Sequence, residues 1–300
     1  VLVPQVEQTF EKGQEPKVLP SEASDKMQSV KQLIQVEEVF WTPMENGIPY
    51  TGDLYVKKSE NPGLSFPDGV EGIYATITAA VNDLNLRGVS GATSFLLTDP
   101  TYTAETFPIT INVIAAGLPT AANTVTIKPN TGVTASVSGA GVSTSLFIIR
   151  NSYVTLDGSN AGGTDRSLTL ENTSTTSPSV MRILSSGTTP VTNVAVKNCN
   201  IINGANTSTA ITMYDIGAAA GGYFNNITIQ NNSIQKAYFA LYCWAATAAG
   251  NGSGTLITGN DLNGSGANAL LGYGVYVQGF DGVTVSNNNI ANITQTGYTH

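Results

Sequence analysis

Between Val194 and Ile290 apolar and polar residues alternate in four short phrases. They are Val194-Ala-Val-Lys-Asn-Cys-Asn-Ile201, Ile227-Thr-Ile-Gln-Asn-Asn-Ser-Ile234, Leu256-Ile-Thr-Gly-Asn-Asp-Leu262 and Val283-Thr-Val-Ser-Asn-Asn-Asn-Ile290. Their closing aliphatics lie 33, 28 and 28 residues apart. A second set runs in step: Val180-Met-Arg-Ile183, Ala210-Ile-Thr-Met213, Ala240-Leu-Tyr-Cys243 and Gly274-Val-Tyr-Val277, spaced by 30, 30 and 34. Alternation over a few positions predicts strands, and turn residues at fixed offsets separate them. Two interleaved strand phrases with one period predict a repeating unit. A propeller blade needs four strands and about 40 residues, and leucine-rich repeats carry a denser leucine pattern. The unit therefore predicts one rung of an all-β solenoid, a right-handed parallel β-helix.

Stacking the rungs in register superposes Asn198, Asn231 and Asn287, with Gly259 in the third rung. The next column holds Cys199, Asn232, Asn260 and Asn288. Stacked amides pass hydrogen bonds along an axis, so these asparagines are expected to form a structural ladder. The same stacking puts Ile201, Ile234, Leu262 and Ile290 inside the rod.

The phrase x-Ile-x-Asn-Asn-x-Ile resembles the repeat of pectin-lyase-like right-handed β-helices, over roughly residues 70 to 300. The run Tyr74-Ala-Thr-Ile-Thr-Ala-Ala-Val81, followed by Phe95-Leu-Leu-Thr-Asp-Pro-Thr-Tyr102, resembles that family's opening of capping helix and first strand. Tyr102 matches the aromatic of its Gly-x-Tyr turn, although Thr101 departs from the glycine pattern, and Val154-Thr-Leu-Asp-Gly158 is similar to its strand-then-turn phrase. In texture the chain is similar to large secreted surface proteins of type IX-secreting bacteria. The resemblance implies a fold more than a function, because this scaffold hosts lyases, hydrolases, spikes and inert stalks.

Helical spacing occurs once before the repeats. Ile77, Ala80, Val81 and Leu84 predict a capping helix over residues 75–87, with Thr76 to cap its start and Gly88 to close it. The expected domains are a leader and linker over residues 1–70 and the capped solenoid over 71–300. Residues 1–26 are polar and predicted to be extended. Residues 27–41 carry Val30, Leu33, Ile34, Val36, Val39, Phe40 and Trp41, apolar groups that need a partner. They are the expected docking segment for head-to-tail self-association, which would build a filament. Residues 42–70, dense in Pro and Gly, read as a linker or loop. The chain begins at Val1, so a processed product is expected.

Charge sharpens the division. Residues 1–70 hold eleven acids and six bases, whereas residues 110–300 hold six of each. No basic footprint for nucleic acid appears, and no apolar run is long enough to span a membrane. The resemblance implies that an enzyme on this scaffold would cluster its charges, as calcium-holding lyases or three-aspartate hydrolases do. Here Asp157, Asp165, Glu171, Asp215, Asp261 and Asp281 are scattered, with Asp157 and Asp281 before glycines as in turns. The single histidine is His300. No catalytic set, cofactor or metal site is expected. Cys199 and Cys243 fit no zinc or redox spacing and read as small buried hydrophobes. Tyr214, Tyr223, Phe224, Tyr238, Phe239, Tyr242 and Trp244 crowd one stretch, and alternation turns Tyr242 outward with Tyr276 a rung later. Such a column suits a glycan or another protein, and it equally fits ordinary surface, where isolated exposed apolar groups are normal. The expected function is a non-catalytic structural or adhesive protein, extracellular or on a cell surface, with a glycan or cell-surface partner. The alternative is a carbohydrate-active enzyme or glycan-binding module on the same fold.

Overall fold

The computed structural model describes residues 49–56, 73–114, 116–185, 189–214 and 223–295. Three parallel sheets run along a common axis. Strands are numbered in chain order. The first sheet has nine strands in the order β2-β1-β3-β6-β9-β12-β15-β18-β21. These are Ile73–Tyr74, Tyr50–Val56, Val89–Leu97, Val125–Pro129, Val154–Asp157, Ala195–Lys197, Thr228–Gln230, Leu256–Thr258 and Thr284–Ser286. The second has seven: β4 (Thr101–Tyr102), β7 (Ala135–Gly139), β10 (Leu168–Asn172), β13 (Cys199–Ile202), β16 (Ser233–Gln235), β19 (Asp261–Leu262) and β22 (Asn289–Ile290). The third has six: β5 (Ile109–Ile111), β8 (Ser145–Ile149), β11 (Ser179–Leu184), β14 (Thr209–Tyr214), β17 (Phe239–Trp244) and β20 (Tyr273–Gln278). The chain visits the three sheets in turn and returns to the first beside its previous strand. It is a right-handed parallel β-helix, the hand that parallel crossovers adopt almost always.

Alternation drives the winding. In β6 and β10 every second residue is buried and its neighbours are partly exposed, and β7 follows the same pattern up to Ser138. The buried members stack from rung to rung: Tyr102 beside Val137, Val137 beside Leu170, Leu170 beside Ile201 and Ile201 beside Ile234. Ile201, Ile234 and Leu262 have no exposed surface. Ile290, paired with Leu262, continues the column but is 44% exposed, because no described strand covers β22 on its far side. It shares the position of the stack without its burial.

Helix α1 (Ile77–Arg87) caps the near end, starting two residues later than the predicted 75. Thr76 accepts from the Ala79 amide at 3.0 Å. Glu105 completes the N-terminus, accepting from the Ile77 and Thr78 amides at 2.8 and 2.7 Å, where a carboxylate also meets the positive end of the helix dipole. At the other end Asn85 closes an edge. Its Nδ2 donates to the Thr110 carbonyl at 2.7 Å and its Oδ1 accepts from the Asn112 amide at 2.8 Å. One side-chain amide thus stands in for a peptide against β5, the terminal strand of its sheet, and removes an edge open to pairing.

One expectation is corrected. Residues 42–70 read as linker, yet Tyr50–Val56 within them is a strand, parallel to both β2 and β3. Leu54 and Val56 are buried beside Phe95 and Leu97. Their alternation is real but short, and the surrounding Pro and Gly masked it. The docking segment containing Val30, Leu33, Ile34, Val36, Val39, Phe40 and Trp41 lies outside the described residues, as do the rest of residues 1–48.

Candidate functional site

Two rows of side chains run along the rod, and each determines what its surroundings can do. The first occupies the corner between the first and second sheets. Lys197, Gln230, Thr258 and Ser286 pair in register, so Asn198, Asn231, Gly259 and Asn287 follow them in one column. All four have positive φ, at 59°, 52°, 66° and 54°. A sharp corner needs the left-handed conformation, which Gly and Asn adopt most easily. The column is thus a conformational device first. Its side-chain bonds are local: Asn231 Nδ2 donates to Asn198 Oδ1 at 2.8 Å, and Asn198 Nδ2 to Asp157 Oδ1 at 2.7 Å.

The adjacent column is continuous. Asn232, Asn260 and Asn288 each accept, through Oδ1, the amide of the residue one rung earlier: Cys199, Asn232 and Asn260, all at 3.0 Å. Each Nδ2 donates back to a carbonyl of that earlier rung: Val196, Ile229 and Ile257, all at 2.9 Å. Every asparagine therefore clips the turn before it, and Asn232 and Asn260 are almost fully buried. Asn232 and Asn260 spend both amide hydrogens and the oxygen in this way, which leaves neither side chain free for a ligand.

The lateral loop after β9 closes over this corner. Asp165 accepts from Ser159 Oγ at 2.6 Å, Ser167 Oγ at 2.7 Å and the Asn160 amide at 3.0 Å. The two hydroxyls stabilise the carboxylate and draw its pKa down from 3.8 to about 2. Arg166 reaches across two rungs to the Asn231 carbonyl at 2.8 Å. Asp157 binds Lys197 at 3.0 Å and the Ser159 amide at 3.0 Å. Asp281 accepts the Gly250 amide, while Asp261 bonds Asn289 on the outside. Among the described residues no three His, Cys, Asp or Glu come together as a metal-ion site. Cys199 and Cys243 are buried free thiols, both pushed far up by desolvation.

The second row lies on the outer face of the third sheet. Register places Thr209, Phe239 and Tyr273 in one column; Thr212, Tyr242 and Tyr276 in the next; and Tyr214, Trp244 and Gln278 in a third. Phe239 stacks on Tyr273 with centroids 4.9 Å apart and 7° between planes, and Tyr242 on Tyr276 at 5.0 Å and 4°. Phe239 meets Tyr242 edge-on at 5.2 Å, which binds the two stacks into one block. Tyr214 stacks on Trp244 at 4.8 Å. These separations follow the strand spacing of about 4.8 Å, so the rings stack along the axis. Tyr223 and Phe224, by contrast, are buried in the core.

On the same face and one rung earlier, register puts Arg182 beside Thr212 and Leu184 beside Tyr214, with Ile148 beside Arg182. The outer faces of the other two sheets are different in kind. Ser94, Thr126 and Thr155 form a hydroxyl column on the first. Ser136, Thr169, Asn200 and Ser233 form a polar column on the second. Among the described residues these stacked rings are on the third face; the first carries a single outward tyrosine, Tyr55, beside Leu96. Sequence alternation turned Tyr242 outward, but Phe239 faces the same way because Ala240 and Leu241 are both buried, a break that alternation does not reveal, and Tyr273 pairs with it in register. Comparison with family models, with characterised proteins and with solved structures found no match for this chain.

Proposed function

We propose that this protein is a non-catalytic structural and adhesive rod of the extracellular space or cell surface, a pectin-lyase-like β-helix in kind. The outer face of its third sheet is the contact surface. One observation carries the reading: a half-buried block of stacked aromatic rings sits on one outer face, while the other two faces carry mostly hydroxyls, amides and charges with no such block among the described residues. Aromatic residues are enriched at the centres of contact surfaces, and an apolar patch on an otherwise polar surface is the usual mark of one. The corner ladder supports the scaffold half of the proposal. It satisfies buried amides rung by rung and gives the rod stiffness without using the third face.

The test is retention of the purified chain on a panel of immobilised proteins and polysaccharides, with a Tyr242→Ala/Tyr276→Ala variant alongside. The wild type is expected to be held on at least one surface, and the variant, still folded by circular dichroism, to wash off. Equal retention of both, or retention of neither, overturns the role given to this face.

A further inference from the structure

The third face holds a cation that nothing on the described chain answers. Arg182 projects outward between the fully buried Met181 and Ile183, and is itself half-buried. No side-chain hydrogen bond or ion pair joins its guanidinium to another described residue. Desolvation pulls its pKa down, a sign that the charge is under-solvated. Arg150, one position past β8, sends Nη1 toward the Ser185 carbonyl at 3.4 Å, close to the same face. None of the six strands of this sheet contains an Asp or Glu. A guanidinium held partly out of water without a counter-charge is costly, and a carboxylate brought from outside would relieve that cost with a charge-assisted pair.

The rings beside it narrow the partner. In each stacked pair one face of each ring is covered by the other ring, and the two stacks meet each other at a steep angle. With Arg182 beside the rings and no acid in the strands of this sheet, the face is apolar and electropositive together. Sugars stack on bare ring faces, and a stacked block offers few. Size narrows it again. The strip from Ile148 through Arg182 to Tyr276 covers five strands, about 20 Å by about 14 Å, or roughly 300 Å². A stable protein pair buries about 800 Å² on each side, so the strip fits one extended chain better than a globular body.

We infer that the outer face of the third sheet binds an extended acidic peptide, its apolar side chains on the Phe239, Tyr242, Tyr273 and Tyr276 block and a carboxylate on Arg182. The inference rests on the contact role proposed for that face and names its partner.

The full chain is titrated, with aromatic fluorescence as the readout, against three probes. These are a short peptide alternating Leu and Glu, the same peptide with Gln for Glu, and a neutral β-glucan oligosaccharide. The acidic peptide is expected to bind about tenfold more tightly than its Gln counterpart, and less tightly as salt rises. Arg182→Gln should remove about that tenfold, while Arg182→Lys keeps part of it. Equal binding of the two peptides, or an unchanged Kd in Arg182→Gln, overturns the inference. Binding of the oligosaccharide without the peptide overturns the peptide partner and leaves the contact role standing. Binding of none overturns both.

Discussion

The asparagine corner and the aromatic face are both ladders along one axis, built in opposite ways. At the corner, each of Asn232, Asn260 and Asn288 uses oxygen and nitrogen together on the preceding turn, and the first two are almost wholly buried. On the third face the rings of Phe239, Tyr242, Tyr273 and Tyr276 stack on one another, yet each keeps an exposed part. The corner is closed, and its interactions are all spent on the fold. The face is open, and part of its surface stays available to a partner. The difference shows where a repeating rod can carry function: in rows whose side chains are not consumed by their own neighbours.

The largest effect should come from breaking the interior beneath both ladders. Ile234→Asp places an uncompensated charge where no water reaches and is expected to abolish folding, read as loss of the β-sheet dichroism. The adjacent outward change, Gln235→Glu, should shift stability by no more than about 0.5 kcal/mol. Next comes the corner. Asn232→Ala leaves the Cys199 amide and the Val196 carbonyl without their side-chain partner, and is expected to cost about 3 kcal/mol in denaturant unfolding. Tyr242→Ala, on the open face, loses one stacked and one edge-on contact and should cost about 1 kcal/mol. A larger loss at Tyr242 than at Asn232 would invert the comparison.

The smallest effect is one of pH. Asp165 is held as a carboxylate by Ser159 and Ser167, so its pKa in the folded chain lies below its unfolded value of 3.8, at about 2. Its contribution is fully present above pH 3.8 and is lost as pH falls through that interval to about 2. Melting curves of the wild type and Asp165→Asn should differ at pH 5 and converge between pH 4 and pH 2. A gap that stays constant over that range would show that these hydrogen bonds do not favour the charged form.

The repeat made the fold legible. Phrases recurring about every 30 residues fix winding, register and the interior column, because identical alternation can stack in only one way. Helix α1 was legible from Ile77, Ala80, Val81 and Leu84, together with its cap at Thr76. Strand β1 was not, since Leu54 and Val56 alone supply its buried alternation amid Pro and Gly. The loop clasp was also hidden: Arg166 and Asn231 are 65 positions apart, and no local pattern joins them. Of the third face, the outward turn of Tyr242 could be read from its neighbours Leu241 and Cys243. The unanswered Arg182 could not, because lack of a partner is a property of the folded surface.

The central claim is that the surface the stacked rings leave exposed on the third face is kept for a partner. The most direct measurement pairs unfolding free energy with surface retention in one variant, Tyr242→Ala/Tyr276→Ala. The account predicts a loss of only about 2 kcal/mol in stability together with loss of retention. A variant that unfolds outright, or one that remains stable and is retained as well as the wild type, would contradict it.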